Sequence, residues 1–192
     1  TLGDFPRALE EINHAQRLRP QSRSILASKG LILFYNGRKD EALRLLRQLA
    51  ASEPDYLSPA AYLAAIHLVE REYEDFLLEE RRAAQLLKDE ARLATAERLA
   101  GVLRASGADA FLEAMLAEQE RAYAIGKETA YTLARTLAML GHTERAMGYL
   151  RTAKARGEAS VILVRIDPAL ASLRPKAEFR ELIAGLGLPP LG

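Results

Sequence analysis

The chain repeats itself with a step of 34 residues. Gly3 recurs as Gly37, Ala8 as Ala42, Leu9 as Leu43 and Pro20 as Pro54, and Ile12 is answered by Leu46. A second pair of segments shares the step: Leu99/Leu133, Ala100/Ala134, Leu103/Leu137, Gly107/Gly141 and Leu116/Leu150. A fixed period of this length points to supersecondary units that stack and bury their apolar faces against neighbouring copies.

The units are helical. Ala, Leu, Arg and Glu, all good helix formers, dominate the 192 residues. Asp4 can cap a first helix with Pro6 in its first turn and Ala8, Leu9, Ile12, Ala15 and Leu18 on one face, and Pro20 stops it. Helices are expected over 24–35, 40–51 and 58–70, with Asn36-Gly37 and Pro54 as stops. Further helices are expected over 72–87, 89–105, 109–125, 128–140 and 143–156, read from Gly107, Gly126, Gly141 and Gly157. The apolar run Val161-Ile162-Leu163-Val164 permits a strand or a buried helix by periodicity, and a short helix is favoured because it has no partner strand. Asp167-Pro168 and Arg174-Pro175 start two further short helices that end near Gly185.

Charge and composition remove several function classes. Net charge is +1 with no Lys/Arg block, which gives no electrostatic basis for nucleic-acid binding through this segment. No apolar run approaches the roughly 18–20 residues of a spanning helix. The absence of Cys excludes disulfides and thiolate metal sites. His14, His67 and His142 fall in different units with no carboxylate at ligand spacing, and neither a nucleophile elbow nor a phosphate-cradling glycine loop occurs. No enzyme activity, metal or cofactor is therefore expected. The mixed-sign run from Glu70 to Arg82 reads as a solvated helix face.

The small-residue pattern resembles tetratricopeptide repeats. Gly30, Gly37, Ala42, Leu46 and Pro54 stand at the family's signature places in one unit. Phe5, Ala8, Ile12, Ala15 and Pro20 do so in a leading half-unit, and Leu133, Ala134, Leu137, Gly141, Ala146, Leu150 and Ala153 in the last. The middle units depart from it, with Phe76 and Glu80 where small and large apolar residues belong. The resemblance implies an all-α, right-handed superhelix of about four and a half helix pairs, with Gly30 and Ala42 letting the helices approach closely. Repeats would occupy 1–157, the first truncated, and capping helices 158–192. Val161, Ile162, Val164, Leu170, Leu173, Phe179 and Leu182 are expected to cover the last pair.

The resemblance also implies a groove lined by the first helix of each unit. Its candidate partner-binding residues are Leu31, Phe34 and Tyr35 in one unit and Tyr131, Arg135 and Met139 in the last. The ending from Arg165 through Gly187-Leu188-Pro189 is similar to that of bacterial regulators. In those, a repeat array follows a winged-helix domain of the CadC/ToxR type, a kinase or a cyclase. The implied function is a non-catalytic protein- or peptide-binding module of a bacterial signalling protein, foremost a transcriptional regulator. A small-molecule or peptide sensor is the alternative. A cytoplasmic location is expected, or a periplasmic one if a membrane helix precedes the segment. The opening inside a unit suggests a fragment of a longer chain, whose uncovered Leu9/Ile12 face could favour a homodimer.

Overall fold

A computed structural model describes residues 5–187, with side chains from Arg7 onward. The sequence signals at Gly3, Asp4, Phe5 and Pro6, and the Leu188-Pro189 ending, concern side chains or residues outside that range. The described residues form nine α-helices and two 3-10 turns, with no strand among them. These are α1 (Phe5–Leu18), α2 (Arg23–Tyr35), α3 (Lys39–Ser52), α4 (Leu57–Val69), α5 (Tyr73–Leu87), α6 (Glu90–Ala124), α7 (Ala130–Met139), α8 (Thr143–Ala155) and α9 (Ala177–Ala184). The 3-10 turns Ala159–Leu163 and Pro168–Leu173 lie between α8 and α9. The fold is all-α, as the helix formers dictate. The starts of α2 and α4, and those of α3 and α5, are each 34 residues apart.

The chain divides into two compact units, with the boundary between Gly101 and Val102. In the first, α2 pairs with α3 and α4 with α5, and α4 touches both α2 and α3. Leu33, Phe34, Ala42, Leu43, Leu46, Leu63 and Ile66 form one apolar cluster there. The close approach expected around Gly30 is made to Leu46: a Cβ on Gly30 would lie 2.6 Å from the Leu46 Cγ. Leu46 is fully buried and cannot retreat, so even a methyl group overpacks this contact.

In the second unit α7 pairs with α8, and the segment after α8 folds back over them. Val161, Val164, Leu170, Leu173, Phe179 and Leu182 all join the core of Leu133, Leu137, Met147 and Leu150, as the capping expectation requires. Ile162 is the exception. It is 41% exposed, because a tight 3-10 turn sends neighbouring side chains to different sides and Val161 and Val164 take the buried ones.

Six helix ends use one backbone device. A residue at or just after the C-cap adopts a left-handed conformation, and the following N–H returns to the carbonyl five residues back. The left-handed residue is Gly at 37, 126, 141 and 157, but Arg71 (φ 61°) and Lys88 (φ 55°) in the middle of the chain. A non-glycine residue there costs about 1 kcal/mol or more. Within α6, Gly107 at φ 81° interrupts the helix at the stop read from Ser106-Gly107, and helical residues continue on both sides of the kink.

Candidate functional site

The six residues of the expected groove meet different fates. On α2, Phe34 points into the apolar cluster, 8% exposed, with its ring 5.5 Å from that of Tyr35. Leu31 and Tyr35 stay half-buried. So do Ile25 and Ile32, and α2 therefore carries apolar side chains around most of its circumference. An amphipathic surface helix would not; such a helix is covered on several sides or offers apolar surface to something else.

On α7 the stripe is occupied by the chain's own later residues. Tyr131 is 3% exposed, and its hydroxyl donates to Asp167 Oδ2 at 3.0 Å. Arg135 Nε meets the same oxygen at 2.7 Å, and Met139 is buried. Asp167 Oδ1 accepts from the Ala169 N–H at 3.0 Å, so one buried carboxylate caps a 3-10 turn and holds two α7 side chains. Nearby, the Glu158 carboxylate accepts the Ala130 and Tyr131 N–H groups, each at 2.9 Å, satisfying the positive end of α7. Ser172 adds a hydroxyl bond to the Ala138 carbonyl at 3.2 Å. Sequence spacing could not find these partners, since Tyr131 and Asp167 lie 36 positions apart.

A polar cluster that the sequence reading missed lies between α3, α4 and α5. His67, in the last turn of α4, is 2% exposed, and its Nδ1–H donates to Glu72 Oε2 at 2.6 Å. Glu72 Oε1 receives Lys39 Nζ at 2.7 Å, and the same ammonium reaches Glu70 at 2.8 Å. These bonds raise the Lys39 pKa, Glu70 foremost, and the Lys39 hydrogen bond lowers that of Glu72 despite its burial. The expectation that no carboxylate lies at ligand spacing from a histidine is corrected here. The left-handed turn at Arg71 swings Glu72, five residues on, back onto His67. His142 likewise meets Glu113, at 3.1 Å on the surface.

Glu72, Asp75 and Glu79 follow one another at three- and four-residue spacing, which puts them on one face of the α5 segment. Within the run read as a solvated face, Glu72 and Glu79 are half-buried, whereas Asp75 is exposed. His67 Nδ1 and one oxygen each of Glu72 and Asp75 lie within 4.8 Å of one another. Glu79 Oε2 is shut off from solvent without a hydrogen-bond partner, and burial pushes its carboxyl above the ordinary range.

No family model, curated protein or solved structure matches this chain. The two surfaces differ in what they can do: the α2 face offers apolar contact area, and the α4–α5 junction offers nitrogen and oxygen donors held close together.

Proposed function

We propose that this chain is a tetratricopeptide-like interaction module of a bacterial signalling protein, foremost a transcriptional regulator, and that it binds a protein or peptide segment through α2. The observation that carries the reading is the apolar character of α2 at Ile25, Leu31, Ile32 and Tyr35, which stay partly exposed although α1, α3 and α4 pack on the helix. Aromatic and aliphatic side chains in such places make effective anchors, because most of their area is desolvated by contact at small entropic cost. The 34-residue offset of successive helix starts and the packing of α4 on α2 and α3 support a stacked-hairpin array. Within the original candidate set, Leu31 and Tyr35 are the contact residues. Phe34 acts from beneath as their support, and Tyr131, Arg135 and Met139 serve the fold of the second unit.

The test is site-specific photo-crosslinking in cells, with the reactive group placed at Leu31, at Tyr35 or at the exposed Ile162. One protein should be trapped from positions 31 and 35 and not from 162, and Tyr35→Ala should weaken its binding roughly tenfold, the scale of a 1–2 kcal/mol anchor. The same adducts from all three positions would refute the assignment.

A further inference from the structure

His67 occupies a position that leucine fills at the ends of α2 and α7, and alanine (Ala84, Ala122 and Ala153) at the other three ends that share the device. The carbonyl that receives the returning N–H belongs to Leu33 in α2, His67 in α4 and Leu137 in α7, with donors Arg38, Glu72 and His142, each at 2.9 Å. Leu33 and Leu137 are core residues at 3% and 0% exposure. An imidazole in a leucine position loses apolar contacts and must be hydrogen-bonded to be tolerated at all. The polar substitution is accompanied by three carboxylates on one face of α5.

We propose that His67 Nδ1 with the carboxylates of Glu72 and Asp75 forms a binding site for a divalent cation of the zinc class. The three donor atoms already lie within 4.8 Å of one another: a buried ring on α4, the half-buried Glu72 in the three-residue turn, and the exposed Asp75 in the first turn of α5. One imidazole nitrogen with two carboxylate oxygens suits zinc or its spectroscopic substitute cobalt, whereas magnesium and calcium favour oxygen donors alone. A bound cation takes the place of the proton shared by Nδ1 and Oε2, and the ring proton moves to Nε2.

Two further features set the charge around these donors. Glu79, on the same face of α5, is half-buried with Oε2 shielded and without a hydrogen-bond donor, and Arg82, His67 and Arg47 supply the positive charge around it. Lys39 places its ammonium on Glu72 and is simultaneously bonded to Glu70. When a metal engages Glu72, Lys39 keeps a partner. The lysine therefore acts as the resident cation of the metal-free form, which lets the hairpin fold before metal arrives.

The experiment titrates the full chain with cobalt, read by visible absorption, and with zinc, read by calorimetry. One site per chain with the strong visible bands of low-coordinate cobalt is expected. His67→Leu, which installs the residue found at the ends of α2 and α7, should remain folded and lose at least about tenfold in affinity. Asp75→Asn should weaken binding similarly, and Lys39→Met should tighten it severalfold by removing the competing charge. Equal affinity in wild type and His67→Leu would overturn the proposal, because it would place the metal on the exposed His14 or His142. So would the absence of saturable wild-type binding below about 0.1 mM.

Discussion

The ends of α4 and α7 share a backbone and differ in everything that touches it. Both helices finish with a left-handed residue, Arg71 in one and Gly141 in the other, and both return an N–H to the carbonyl five positions back. Beneath α7 that carbonyl belongs to Leu137, packed among Leu133, Met147, Leu150 and Leu170. Beneath α4 it belongs to His67, tied to Glu72 and through it to Lys39. The turn is thus indifferent to the chemistry below it. The neighbours decide whether that place holds oil or charge: aliphatic cap residues in the second unit, and in the first the acidic face of α5.

The largest effect should come from forcing one chemistry into the other's setting. Leu137→His has no counterpart of Glu72 available, since His142 occupies that place, and the ring must stay unpaired in a core of aliphatic side chains. A loss of about 3–5 kcal/mol is expected from missing apolar contact and an unsatisfied polar group, measured by denaturant unfolding. A loss below about 1 kcal/mol would mean that the two sites are more alike than their neighbours suggest.

Asp167→Ala should rank next. It removes the acceptor that Arg135 and Tyr131 share and uncaps a 3-10 turn, at a cost of about 3 kcal/mol. The loss should appear in hydrogen exchange of α7 and the capping segment. Unchanged protection there would show that the apolar residues alone hold the cap.

The smallest effect concerns Glu79 in metal-free buffer. Burial raises its pKa in the folded state, so folding binds the proton more tightly and stability falls as pH rises through the interval above the unfolded value near 4.3. Glu79→Gln should therefore raise the melting temperature at pH 7, by under about 1 kcal/mol in stability, and leave it unchanged near pH 4. A variant less stable than wild type at pH 7 would mean that the carboxylate is stabilised there.

The fold is most legible in the sequence where local backbone chemistry rules. Pro20, Pro54, Gly126, Gly141 and Gly157 mark real helix limits because their conformational constraints act within a turn or two, whatever lies around them. The apolar capping residues were legible for a related reason: Asp167-Pro168 sets the turn locally, and the side chains following it have one core to enter.

What failed to show in the sequence was which partner each side chain would find. Tyr131, Arg135 and Met139 have the composition of an interface, and they form one, with the chain's own Asp167 and its surroundings. His67 looked alone because its carboxylate arrives through a left-handed turn carried by Arg71, where no glycine announces it. Helix positions and stops were set by the sequence by itself, since propensity, capping and proline act over a few residues. Which stripe is covered, and where charge is drawn inside, was decided only by the tertiary structure, because those outcomes depend on contacts between helices that no local pattern encodes.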